Sequence, residues 1–182
     1  MSGPKLTLFF DVISPFAYLA FYRATTGPLR AYTTVVPVHI GGIFRSAENK
    51  PPITIPLKGK YIFHDLKRQA KMYHVPLVAA GKPTGFPLST VYAMRVLCVV
   101  QQHYSQETLV ACASKLFEAL WVNDRPLNQE AEVVAAVQGV VGEEAWEKIA
   151  GLVTTDGKKV LVENTDAVIK ADAFGLPWLV GE

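Results

Sequence analysis

The sequence predicts an α/β fold in which a βαβ unit is followed by an all-helical insertion and then by a return to the same sheet. Three observations predict it. The first forty residues alternate an apolar run, a helical pattern and a β-branched run. Between Gly42 and Val153 only helical patterns follow one another. Near the end, Gly175-Leu176-Pro177 punctuates the approach to a third apolar run, "WLVGE".

Taken in order, "KLTLFF" is apolar without a helical period, which suits a strand buried on both faces, and Asp11 closes it. Ser14 stands where an N-cap belongs and Pro15 at the first helical position, so "PFAYLAFYRATT" reads as a helix that stops at Gly27-Pro28. Residues 32–40, "YTTVVPVHI", are β-branched and end at Gly41-Gly42, which predicts a second strand, parallel to the first, followed by a turn. After the proline-rich stretch "ENKPPITIPLKGK" come helices over "YIFHDLKRQAKMYH", "PLSTVYAMRVLCVVQQHY", "QETLVACASKLFEALWV", "NQEAEVVAAVQGVVG" and "EEAWEKIAGLV". Residues 88–104 are apolar nearly all round, Arg95 excepted, and should be buried on several sides or face a partner subunit. "KKVLVENTDAVIKADAF" then leads into the Gly-Leu-Pro turn and the third strand.

This order describes a thioredoxin-like half-sheet split by a helical domain. Residues 1–41 form the βαβ part, 42–153 the insertion, and 154–182 the return helix, the turn and the start of the third strand. The last strand and last helix of such a fold are expected to be missing from the chain, which stops at Glu182.

Composition narrows the function. Half of the 182 residues are apolar and 19% are charged, the balance of a folded, soluble domain. A net charge of +2 from mixed acids and bases, with only short basic knots such as "KGKY", gives no footprint for nucleic acid. The N-terminal apolar run is too short for a secretion signal or a membrane span, so an intracellular, reducing compartment is expected. Cys98 and Cys112 lie in separate helical patterns, without metal or disulfide spacing, and read as buried inert thiols. His39, His64, His74 and His103 show no ligand spacing, so no metal is expected.

The corner after the first strand carries the chemistry. A thioredoxin-like oxidoreductase has Cys-x-x-Cys there; this chain has Ser14-Pro15-Phe16-Ala17, which removes both sulfurs and with them dithiol redox chemistry. Ser14 can be a plain helix cap. A hydroxyl at a helix N-terminus can also donate to an incoming anion while the free amides supply positive potential, so the corner can hold a thiolate it does not own. No Gly-x-Ser-x-Gly elbow surrounds Ser14, against a serine hydrolase. Pro177 can be a simple breaker or the cis proline that faces the corner in this fold; in the second case Leu176 offers its backbone to a peptide thiol such as glutathione.

At "FFDVISPFAYLAF", "ENKPPITIPLKGKYIFHDLKR", "YAMRVL" and "AFGLP" the chain resembles the kappa-class glutathione transferases and the related 2-hydroxychromene-2-carboxylate isomerases, a DsbA-like branch of the thioredoxin fold. The resemblance implies that Ser14 is the catalytic serine, hydrogen-bonded to the glutathione sulfur. It implies that Pro15 and Phe16 line the glutathione site, that Asn49 reaches glutathione and that the Leu176 backbone pairs with its cysteinyl unit. Lys58 and Asp65 fall in the same matched segment with less defined roles. It further implies glutathione as co-substrate, a small electrophile as partner, no metal, no membrane and a homodimer, in a mitochondrial, peroxisomal or cytoplasmic setting. Such proteins continue with a hairpin and a Ser-Asp helix start that grips the γ-glutamyl end, which is expected to be missing here. The expected activity is conjugation of glutathione to an electrophile; a glutathione-dependent isomerase and a non-catalytic thioredoxin-like binding protein are the alternatives.

Overall fold

The computed structural model describes residues 5–181. Strand β1 (Leu6–Phe10) lies in the centre of a three-stranded sheet of order β2-β1-β3. It runs parallel to β2 (Thr33–Pro37), with Leu8 opposite Val35, and antiparallel to β3 (Trp178–Gly181), with Leu8 opposite Leu179. Its side chains alternate as the pleat requires: Leu8 and Phe10 enter the main core, and Phe9 joins a second cluster around Val38, Ile43 and Val168 on the other face. A strand with apolar neighbours on both sides reads as a continuous apolar run, which explains "LTLFF".

Helix α1 (Pro15–Thr26) starts as its sequence predicts: Ser14 caps it, its Oγ accepting from the Ala17 amide at 3.2 Å, and Pro15 fills the first turn. The next element departs from the expected strand and turn. β2 ends at Pro37, and residues Ile40–Ser46 form α2, with Gly41 and Gly42 inside it. The helix start has no side-chain cap of its own. Its amides are satisfied from a distance instead: the His39 N–H donates to Thr165 Oγ1 at 3.0 Å and the Ile40 N–H to Asp11 Oδ2 at 3.1 Å. Gly42 is there for close approach, because a Cβ would sit 2.9 Å from Thr165 Cγ2.

Helix α3 (Pro56–Tyr73) begins earlier than its periodicity suggests, taking in "PLKGK" with Pro56 at its first position. Helix α4 (Val91–His103) begins later, after the irregular residues around Pro87. α5 (Gln106–Trp121), α6 (Glu130–Val141), α7 (Glu143–Leu152) and α8 (Asp156–Lys170) follow, then the turn into β3; α8 stops short of the expected "ADAF". The apolar α4 is buried on several sides within the chain: Ala93, Met94 and Val96 to Val100 pack among α5, α6, α7, α8 and β2. Its apolarity therefore needs no partner subunit to explain it.

Helix α5 is fastened to the corner by Trp121. Its indole N–H donates to the Val12 carbonyl at 2.8 Å, in full burial, and its ring stacks near-parallel on Tyr18 with centroids 6.3 Å apart. Phe10, Phe21 and Phe117 close the same cluster at centroid separations of 4.9 to 5.7 Å. Trp121→Phe keeps most of the ring contact but leaves the Val12 carbonyl buried without a donor. It is expected to cost about 1–3 kcal/mol, read as a lowered urea midpoint with an unchanged slope.

Candidate functional site

A cleft of about 420 Å³ lies where the corner, the start of α2, the Pro51–Pro52 loop, the start of α4 and the turn before β3 converge. Its walls are apolar, led by Phe16, Phe44, Ile53, Ile62, Phe86 and Leu88. Ser14 lies on its surface and is only 4% exposed. The Ser14 hydroxyl accepts from Ala17 N–H and donates to the Leu176 carbonyl at 3.3 Å. The Leu176-Pro177 bond is cis, and the hydrogen bond from Ser14 places the Leu176 carbonyl at the helix start. Pro15 has no N–H and the Ala17 N–H is taken by Ser14 Oγ, so the Phe16 N–H is the first-turn amide that the positive end of α1 leaves to offer at this point.

The structure brings together Ser14, Pro15, Phe16, Asn49 and Leu176, all on the cleft surface. Asn49 bridges two of its loops: its Nδ2 donates to the Phe174 carbonyl at 2.9 Å, and its Oδ1 accepts from the Lys50 amide at 2.8 Å. Lys58 and Asp65 do not join them. Lys58 is exposed on α3, and Asp65 is engaged by Arg68 and Gln69 along the same helix, contacts that hold its carboxyl below the usual carboxylate range. Neither lines the cleft.

The thiols stay out of the chemistry. Burial pushes Cys98 up to about 12 and Cys112 up to about 11, so both are protonated at neutral pH and inert. Among the described residues no group of three or more His, Cys, Asp or Glu could hold a metal ion, and no helix is long and apolar enough to cross a membrane.

Sequence reasoning missed Asp11, Thr90 and His39. Asp11 is fully buried beneath the cleft and accepts three bonds, from Ile13 N–H at 3.2 Å, Thr90 Oγ1–H at 2.8 Å and Ile40 N–H at 3.1 Å. One carboxyl thus ties the corner, the start of α2 and the residue before α4. Burial raises its pKa, against the lowering effect of those donors and of nearby His39. The signal was present: a charged residue directly after a strand buried on both faces had to find partners. Which partners, no local pattern could say.

A profile for the DSBA-like thioredoxin domain family matches residues 5–181. Glutathione S-transferase kappa 1 of Caenorhabditis elegans is 29% identical, with the match covering 97% of this chain and 80% of that protein. Glutathione S-transferase kappa 1 of Rattus norvegicus is 28% identical over 96% and 80%. The solved structure of 2-hydroxychromene-2-carboxylate isomerase superposes with a TM-score of 0.80 at 19% identity, covering 96% of this chain and 84% of that one, a likeness of fold.

The raised pKa of Asp11 has a sign. An acid whose folded pKa exceeds its unfolded value supports the fold below about pH 3.9 and loses that support as pH rises through the folded pKa. Asp11→Asn keeps one oxygen for the Ile13 N–H and the Thr90 hydroxyl but sets its own NH2 against the Ile40 N–H, so it is expected to be less stable than wild type, with the deficit largest near pH 4 and shrinking toward neutrality in urea titrations at stepped pH. A deficit that grows toward neutrality would show that the three donors outweigh the burial.

Proposed function

The chain belongs to the DSBA-like thioredoxin domain family, and from that premise we propose that it is a glutathione transferase, conjugating the glutathione thiolate to a small electrophile with Ser14 stabilising the sulfur. The observation that carries this reading is the Ser14 hydroxyl, set at the N-terminus of α1 and hydrogen-bonded to the Leu176 carbonyl on the wall of an apolar cleft. The kappa-class names of the worm and rat relatives support the choice of thiol.

The residues divide the work. The Ser14 hydroxyl turns its proton from the Leu176 carbonyl to the sulfur while still accepting from the Ala17 amide, a donation that polarises it as a donor. The same rotation frees the Leu176 carbonyl to accept from the cysteinyl amide of glutathione. Pro15 and Phe16 border the sulfur, and Asn49 reaches the peptide from the rim while holding the Phe174 carbonyl in place. The helical insertion, residues 42–153, supplies through Ile53, Ile62, Phe86 and Leu88 the apolar roof under which the electrophile lies. No metal is required, since the nucleophile is the thiolate itself.

Stabilising the thiolate supplies little of the rate alone. Lowering a thiol pKa from about 8.5 to about 6.5 raises the thiolate fraction at pH 7 roughly twentyfold, and a Brønsted slope near 0.45 removes about eightfold in nucleophilicity. Holding sulfur against the electrophile in a dry cleft must therefore supply most of the acceleration.

The superposition on an isomerase favours a second reading, in which sulfur adds, a bond rotates and sulfur leaves. Among the described residues, no Lys or Arg lines the cleft, and its ionisable members are Asp11 and His39. A carboxylate substrate would find only His39 to pair with, which favours an uncharged electrophile and the transferase reading. A homodimer remains part of the proposal, checked by the mass in solution at micromolar concentration; a monomer would remove it.

With glutathione present, a thiolate absorbance is expected near neutral pH. Ser14→Ala removes a donor to a charged sulfur, an interaction of about 1.5–3 kcal/mol, and should raise the thiol pKa by about one to two units. An unchanged titration would reduce Ser14 to a helix cap and sink the reading. Consumption of glutathione with the electrophile, rather than its release unchanged, separates transferase from isomerase.

A further inference from the structure

A second cavity, of about 600 Å³, lies on the other side of α2, between that helix, the first turns of α4 and the length of α8. His39 and Val91 line both cavities and form the partition between them. The chemistry of the two is opposite. Where the cleft is apolar, this cavity collects Arg45, Arg95 and Lys158 against one acid, Asp166, a surplus of two permanent positive charges. Among the described residues none of the three cations is in a salt bridge. Arg95 is the one charged residue of the buried α4, and its Nε is sealed from solvent without an acceptor. A buried guanidinium N–H left without a partner is costly and calls for an explanation.

The walls are set by close helix packing. At Gly157 a Cβ would lie 2.6 Å from the Arg95 carbonyl, so α8 can approach α4 only with glycine there, and that approach puts Lys158 beside Arg95. Gly42 does the same between α2 and α8, with Thr165 Cγ2 2.9 Å from its would-be Cβ. The apolar side of the cavity is Leu161, Val162 and Ile169.

We propose that this cavity is a binding site for a small organic phosphate monoester, with Arg95, Arg45 and Lys158 holding the phosphate and Leu161, Val162 and Ile169 covering its apolar body. A surplus of two positive charges matches a phosphate monoester, which carries about −1.5 to −2 at pH 7, better than a monocarboxylate. The guanidinium fork suits its oxygens, and the volume falls within the range of small-molecule sites. The inference stands independently of the glutathione reading, because it uses none of Ser14, Asn49 and Leu176.

The test is calorimetric titration of the full chain with hexyl phosphate, inorganic phosphate and hexanoate, beside an amide chemical-shift map with hexyl phosphate. Saturable binding of hexyl phosphate at millimolar concentration or below is expected, tighter than that of the other two probes, with shifts at Gly42, Lys158 and Thr165 and none at Phe16 or Leu176. Arg95→Met keeps the apolar stem and removes the guanidinium, and should weaken hexyl phosphate roughly ten- to hundredfold. Lys158→Gln, at an exposed position that does not endanger folding, should weaken it several-fold. No saturable binding, shifts confined to Phe16 and Leu176, or affinity unmoved by Lys158→Gln and Arg95→Met together would overturn the proposal. Hexanoate binding as tightly as hexyl phosphate would overturn the dianion, and inorganic phosphate doing so would overturn the apolar contact.

Discussion

The Asp11 carboxyl is the constraint on which the site depends. Three segments far apart in sequence end at it: the corner through the Ile13 amide, the start of α2 through the Ile40 amide, and the N-cap of α4 through the Thr90 hydroxyl. Each donor would be buried without an acceptor if the carboxyl were absent, so the fold needs the acid even though burial raises its pKa. The walls of the cleft that come from the corner, from α2 and from the start of α4 meet at this junction. α2 begins where it does because Asp11 and Thr165 accept the amides that no local cap satisfies.

Around that polar point the molecule is held by apolar contact. Trp121 joins α5 to the corner with one buried hydrogen bond and a near-parallel ring stack on Tyr18, and the Phe10, Phe21 and Phe117 cluster continues the contact into the sheet. The consequence for chemistry is a dry surface. Under the proposed reading, the α1 terminus and the Ser14 hydroxyl would act on a sulfur anion in this apolar cleft with less screening than water would allow, which is the condition under which a single donor is worth using.

Helix α2 divides two environments. One side of it faces the apolar cleft and the other the basic cavity, with His39 and Val91 shared between them. The glycines of α2 matter for this arrangement through the space they leave. Gly42 lets α8 approach closely enough for Arg45 and Lys158 to border one volume with Arg95.

Ser14 and Pro15 mark the start of α1 by local rules, Gly27 and Pro28 its end, and "LTLFF" shows a strand covered on both faces; caps, punctuation and periodicity act within a turn or two and can be read without the fold. Local signals marked Ser14 as a cap and Pro177 as a breaker; that Leu176 lies against the corner was expected only from the fold and the family the chain resembles. They failed at Gly41-Gly42, where a turn was expected and a helix forms, because its first amides are satisfied by Asp11 and Thr165, 29 and 126 residues from their donors. They left the apolarity of α4 ambiguous between a core and a partner, which the packing of α8, α5 and α7 around it decides in favour of the core. The sequence by itself determined which residue types stand at the corner and therefore that no sulfur of its own can act there. Only the tertiary structure decided what surrounds that corner, because a cleft wall is made of side chains from separate elements, and their meeting depends on long-range partners that no window of the chain contains.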